Sequence, residues 1–272
     1  MRSQARVVVV GGGCVGASVL YALTRRGWTD VVLLERTQLT AGSTWHAAGL
    51  LVLYTRSYSA GRIIKRTIEL YEGLEADTGQ AVGFHKCGQL RVANSADQMD
   101  EYVSYMSMAE TMGIRARLVS PAEIRDLWPL LEGNKIMLGG LYHQDDGHIA
   151  PADVTQALIK GARDRGAAVE LETPVTGFDR LADGRWKVRT PKGDIVCEHV
   201  VTATGNYARQ TGAMVGLDLP AIPIVHQYWV TEPVPEIRER RARGLPEMPI
   251  LRDEWIHGYV REEGEGLMFG PY

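Results

Sequence analysis

The chain has 272 residues, of which 45% are hydrophobic and 23% charged, a balance that supports a sizeable core and excludes wholesale disorder. Its length predicts one large domain or two closely packed ones. Thirty Lys and Arg against 33 Asp and Glu leave a formal charge of −3, which argues against a nucleic-acid carrier, and no run approaches the ~18 apolar residues of a membrane span. Cys14, Cys87 and Cys197 form no CxxC pair and read as reduced thiols. Only Met1–Ala5 precede the first apolar run, so no leader is expected and a cytoplasmic location is.

Residues 6–10 (RVVVV) form an unbroken β-branched run, which predicts a parallel strand buried on both faces. It leads into Gly11-Gly12-Gly13-Cys14-Val15-Gly16 and a helical spacing over 17–26, with Gly27 at the C-terminal turn. Residues 31–34 predict a second buried strand, ended by Glu35, and complete a strand–turn–helix–strand unit. A nicotinamide dehydrogenase would repeat that alternation. This chain instead gives a long helix over 57–78, a strand over 88–94 and a helix over 95–112. Ser120-Pro121-Ala122-Glu123 then predicts a capped helix to Trp128. A helix over 151–165 and a strand over 168–172 return to the first pattern. Residues 175–181, 186–190 and 194–197 predict a meander, and 199–203 a further buried strand closed by Thr204-Gly205. Strands are expected again over 224–231, 255–261 and 267–270. The layout predicts an α/β protein whose first domain, over 1–85 and 144–221, is interrupted by a second over 86–143 and 222–272.

The glycine turn has a mechanical logic. Gly11 permits a tight turn, Gly13 lets the backbone approach a pyrophosphate, and Gly16 lets helix and strand pack closely, while the helix N-terminus offers free N–H groups. Glu35, about 20 residues beyond Gly16, is placed to accept from ribose hydroxyls and disfavours a 2′-phosphate, hence NADP. The bland alternative is a glycine-rich turn in an unliganded α/β domain. The interrupted layout and the late strand ending at Thr204-Gly205 favour FAD over NAD. His46 on its own reads as a surface or packing histidine, and Asp145-Asp146-Gly147-His148 as a turn, with no metal site expected. His226 and Tyr228 share one face of a strand, and Tyr259 shares another with His257 and Arg261. These faces either line a substrate cavity or form the wet side of an amphipathic sheet.

The segments AGSTWHAAGL, YEGLEADTGQAVGFHKCGQLRVA, LYHQDDGHIAP, VVTATGNYAR, PIVHQYWVTE and GYVREEGEGLMFGPY follow one another along the chain. Together they resemble the dimethylglycine dehydrogenase and sarcosine dehydrogenase family, FAD-dependent amine dehydrogenases of the D-amino-acid-oxidase superfold. The resemblance covers essentially the whole chain. It implies a Rossmann-type FAD-binding domain with an inserted α+β substrate domain built on an antiparallel sheet. It also implies a flavin joined covalently to His46 through its 8α-methyl group, and a substrate site lined by His226 and Tyr259. The candidate cofactor-binding residues are Gly11, Gly13, Val15, Gly16, Glu35, Arg36, Ser43, Thr44, His46, Ala48, Gly49, Leu50, Val175, Thr204 and Gly205.

The implied reaction is oxidative N-demethylation of a small N-methylated amino acid, dimethylglycine first, by hydride transfer to flavin N5. Sarcosine or a related methylated amine is the alternative substrate, and a flavin-fold fragment without activity of its own is the alternative of another class. Because hydride leaves only when the nitrogen lone pair is free, His226 or Tyr259 is expected to accept the ammonium proton or relay it to water. Family members continue beyond this end with the last FAD-domain segment and usually a folate-binding domain. Tetrahydrofolate is therefore expected only with such a region, and the electron acceptor is not indicated.

Overall fold

A computed structural model describes residues 2–131 and 137–271, and it divides into two compact units. The first comprises Met1–Ala47, Tyr71–Gly83 and Ala150–Ile224; the second comprises Ala48–Leu70, Phe84–Ile149 and Val225–Tyr272. Segments 48–70, 84–85 and 144–149, expected with the first domain, fall in the second unit, and 222–224, expected with the second, fall in the first. The reason is local pairing: Leu50–Leu51 is antiparallel to Gly147–His148, and the Leu53 N–H donates to the Asp146 carboxylate at 3.1 Å.

The first unit is built on a six-stranded sheet in the order Ala168–Glu170, Val31–Leu34, Gln4–Val10, Ile195–Thr202, Trp186–Arg189, Gly177–Arg180. The first four strands are parallel and the last two antiparallel. Val8, Val9 and Val31–Leu33 are completely buried, as an apolar run with neighbours on both edges and both faces requires. Helices Cys14–Arg25 and Pro151–Asp164 lie together: a side chain at Gly161 would meet the Tyr21 ring at 2.8 Å. The Tyr21 hydroxyl donates to Asp77 at 2.5 Å, and Arg165 closes the same carboxylate at 2.6 Å.

Two strands expected over 194–197 and 199–203 are one strand, Ile195–Thr202. Its antiparallel partner stops at Cys197, so the second half lacks a neighbour on that side, and His199 is exposed, not buried.

The second unit carries a seven-stranded sheet in the order Trp229–Val230, Gly266–Pro271, Gly258–Glu263, Ile250–Asp253, Gln89–Ala93, Gly139–His143, Ala116–Val119. All neighbours are antiparallel except the central pair Ile250–Asp253 and Gln89–Ala93, so the expected antiparallel sheet is mixed at its middle. Leu90, Ile124, Trp128, Ile237, Met248 and Leu251 form its core. The Trp128 indole N–H is satisfied by the Pro249 carbonyl at 2.6 Å. Ser120 and Glu123 form the expected reciprocal cap of Pro121–Leu127.

The strand expected over 224–231 is limited to Trp229–Val230, because pairing begins only at Trp229 with Phe269; residues 221–230 are all exposed. The strand expected over 255–261 begins at Gly258. Residues 254–257 are the turn of a hairpin, with His257 at φ 44°, so His257 does not share the strand face of Tyr259 and Arg261. Among the described residues, no helix is long and apolar enough to cross a membrane.

Candidate functional site

The Gln4–Val10 strand runs into Gly11, which has φ 115° and whose N–H donates to the Leu34 carbonyl at 2.9 Å. A Cβ there would lie 2.4 Å from the Ala203 carbonyl oxygen, and one on Gly16 would lie 1.9 Å from that of Gly11. Strand end, turn and helix are thus in backbone contact. Gly13 is different. It precedes the Cys14–Arg25 helix with no side-chain cap, and a Cβ there would meet only the Thr44 hydroxyl, at 3.0 Å. The N–H groups of Val15 and Gly16 lie in the first helical turn, where no intrahelical acceptor exists, and the Val15 side chain is 66% exposed.

Glu35 is fixed from two sides. The Gly12 N–H donates to one carboxylate oxygen at 2.7 Å, while the N–H and hydroxyl of Thr37 donate to the other at 2.9 and 3.2 Å. Three of the four lone-pair sites are thus used, and the oxygen facing Gly12 keeps one for a further donor, so the carboxylate is held in place as an acceptor.

The segment after Glu35 returns to the glycine turn. The Thr40 N–H donates to the Gly12 carbonyl at 3.0 Å, and Thr40 adopts φ 68° to do so. The Thr44 hydroxyl accepts from the Cys14 N–H at 3.1 Å, and Ser43 accepts from the Asn206 side-chain amide at 3.1 Å. His46 sits on this anchored turn, exposed, with Trp45 edge-on at 4.8 Å. Thr204 and Gly205 follow the Ile195–Thr202 strand; Gly205 has φ 53°, and the buried Thr204 hydroxyl has no hydrogen-bond partner among the described residues. Arg36 lies 3.9 Å over the Tyr207 ring. Val175 packs half-buried against the core that includes Phe178.

Gly11, Gly13, Val15, Gly16, Glu35, Arg36, Ser43, Thr44, His46, Val175, Thr204 and Gly205 therefore share one unit. An open backbone cradle at a helix N-terminus, a clamped acid and an orphaned hydroxyl suit the pyrophosphate and ribose of a dinucleotide.

The remaining candidates belong to the second unit. The Gly49 carbonyl accepts from the Ile149 N–H at 2.9 Å, and Leu50 pairs with His148. Ala48 and Leu50 pack on a cluster of Ile250, Tyr259 and Met268. Tyr259 is 5% exposed, with its ring against Gly270, where a Cβ would come within 2.2 Å of it. Arg261 reaches the Ala48 carbonyl at 3.4 Å. His226 is exposed on the segment before the Trp229–Val230 strand.

Two polar clusters of the second unit escape sequence reasoning. In the first, buried Asp146 is raised well above the carboxylate range, chiefly by burial, although the Leu53 N–H opposes that shift. Its neighbour in sequence, His143, is pushed down to about 3 by burial and then by Arg91, and its ring lies 3.1 Å from the Tyr105 hydroxyl. The second cluster joins His85, His148 and Glu247. Their separation along the chain removes any spacing signal.

The family model described as DAO, FAD dependent oxidoreductase, matches residues 6–272. Mouse mitochondrial dimethylglycine dehydrogenase is 44% identical over 100% of the chain, and human mitochondrial sarcosine dehydrogenase is 36% identical over 99%. The chain spans only 31% and 29% of those proteins' own lengths. Among solved structures, L-proline dehydrogenase from P. horikoshii superposes with TM-score 0.86 at 25% identity, covering 99% of this chain and 70% of that one. Glycine oxidase from Geobacillus kaustophilus gives 0.80 at 22%, covering 100% and 73%. With the glycine turn, the clamped Glu35 and the interrupted two-unit fold, these matches place the chain in the DAO family of FAD dependent oxidoreductases.

Proposed function

We propose that the protein oxidises a small N-methylated amino acid, dimethylglycine first, with demethylation following from water attack on the product iminium. The observation that carries this reading is the 44% identity to a dimethylglycine dehydrogenase along the whole chain, against 36% to a sarcosine dehydrogenase. Bound FAD supplies the hydride acceptor. The turn at Gly11, Gly13 and Gly16 would hold its pyrophosphate, Glu35 its ribose, and the Thr204 hydroxyl would gain the partner it lacks.

His46 is the proposed covalent attachment point. The anchoring of its turn to Gly12 and Cys14 supports this, because a covalent bond forms only where the imidazole is held in register with the cofactor. Tyr259 and His226 are proposed to receive the proton that the substrate ammonium must lose. Tetrahydrofolate as acceptor of the one-carbon unit is proposed only for a protein carrying a further domain that binds it.

The test is anaerobic bleaching of the flavin absorbance by dimethylglycine, sarcosine and, as control, trimethylglycine, which has no nitrogen lone pair. Faster bleaching by dimethylglycine than by sarcosine supports the reading. Equal bleaching by all three, or by none, ends it.

A further inference from the structure

We propose that His85, His148 and Glu247 form a divalent transition-metal site of the zinc type, separate from the dinucleotide cradle. Their ligand atoms all lie within 4.8 Å of one another. The Glu247 carboxylate spans both rings, 2.9 Å from His85 Nδ1 and 2.7 Å from His148 Nε2. Around a tetrahedral ion with bonds of ~2.0–2.1 Å, neighbouring donors stand roughly 3.3 Å apart. From the observed spacing, the two carboxylate–imidazole pairs must open by about 0.5 Å, and no pair of donors need close by more than about 1.5 Å, to reach that geometry.

The backbone holds the three residues where they are. His85 and His148 form an antiparallel bridge, exchanging N–H···O bonds of 2.8 and 3.0 Å, so their side chains emerge side by side, with rings stacked at 4.7 Å. That bridge depends on Gly147, where a Cβ would lie 2.0 Å from the His85 carbonyl oxygen. Glu247 stands between Pro246 and Met248-Pro249, and the Met248 N–H is tied to the Glu262 carboxylate at 2.9 Å. Three donors presented by stiff backbone lose little entropy when an ion binds.

The donor chemistry is selective. Two imidazoles and a carboxylate suit zinc and its neighbours, whereas magnesium prefers oxygen ligands and retained water. In the metal-free state the two rings must direct N–H groups at the carboxylate. An ion takes the place of the proton on each of these nitrogens: a neutral ring carries its single proton on the other nitrogen instead, so it releases none. His148 is nearly buried while His85 is 56% exposed, so the ion has an entry side. A cavity of about 430 Å³ lined by His85, Glu247, Cys87 and Tyr142 adjoins the cluster, leaving room for water or a small anion in the fourth position. Arg240 lines the same cavity and would attract such an anion.

The test uses the untagged full protein with its flavin, dialysed against chelator and then titrated calorimetrically with zinc chloride. A single equivalent is expected at micromolar affinity or tighter, with magnesium chloride giving no comparable heat. Glu247→Gln and His148→Ala should each weaken zinc binding by about 100-fold or more, since even outer-shell partners of a metal cost 10–100-fold. His199→Ala, on the other unit, should not. Should His148→Ala fail to fold, His85→Ala removes a mostly exposed ring and must show the same loss. Absence of stoichiometric zinc binding by the unaltered protein, or undiminished binding in Glu247→Gln and His85→Ala, overturns the proposal.

Discussion

Gly13 and Gly16 stand three residues apart in one motif, yet the structure assigns them different work, and alanine at each position separates the two roles. At Gly16 the added methyl would lie 1.9 Å from the Gly11 carbonyl oxygen, where a carbon–oxygen contact needs about 3.3 Å, so turn and helix must part by about 1.4 Å. Both clashing groups are set by backbone, and no rotamer change relieves them. Alanine recovers up to ~1 kcal/mol of helix propensity, against an overpacking cost of about 1–3 kcal/mol or more. The expected net effect is a lower melting temperature even without cofactor. At Gly13 the backbone is extended, and the methyl would meet only the Thr44 hydroxyl, at 3.0 Å. Apoprotein stability should therefore change by less than ~0.5 kcal/mol. FAD binding should nonetheless fall sharply, because the methyl occupies the face open to the pyrophosphate. Apoprotein from riboflavin-starved cells, melted without FAD and then titrated by flavin fluorescence quenching, gives both quantities. Full FAD affinity in Gly13→Ala, or unchanged apoprotein stability in Gly16→Ala, would refute the reasoning.

Three further expectations follow from the geometry. Glu35→Gln sets an amide N–H₂ against either the Gly12 or the Thr37 donors, and should weaken FAD binding by about 10- to 100-fold, the range for a hydrogen bond to a charged group; an unchanged titration would remove Glu35 from the ribose site. His46→Ala should yield protein whose yellow colour is lost on acid precipitation, whereas the unaltered peptide spanning 43–56 should carry the mass of FAD; an unmodified peptide from active yellow protein would disprove the covalent link. Because burial holds His143 down to about 3, the folded state resists protonation, so stability is lost as pH falls from 6.5 toward 3, at no more than about 1.4 kcal/mol per pH unit. The pH dependence of melting should be shallower over that window in His143→Gln, and identical profiles would mean that the ring is not protected from protons.

Local chemistry was legible wherever a segment's own residues determine its conformation. The buried strand Val31–Leu34, the Ser120 cap and the glycine turn each carry their cause within a few positions. Legibility ended where neighbours decide. The apolar alternation of 224–230 looks like a strand, but among the described residues only Trp229 and Val230 join a β ladder. The run from 194 to 203 looks like two strands, yet its edge partner ends halfway along one. The site divides in the same way. The cradle follows from spacing, and His46 from likeness to relatives. The His85–His148–Glu247 cluster depends on a bridge and a proline-flanked loop far apart in the chain. No periodicity marks such a meeting.

The middle of each sheet joins strands far apart in the chain. Ile250–Asp253 lies beside Gln89–Ala93, and Ile195–Thr202 beside Gln4–Val10. A ribosome emitting this chain therefore releases half of each central pair long before the other half exists. During that interval Gln89–Ala93 and Gln4–Val10 present unsatisfied edges of apolar strand, and the closure of such long loops is slow. Yield in the cell should accordingly depend on holding chaperones during synthesis more than on the stability of the finished fold. Truncation before residue 250 should remove three neighbouring strands of the second sheet and leave only Gln89–Ala93, Gly139–His143 and Ala116–Val119 paired, with Gln89–Ala93 exposed as an edge.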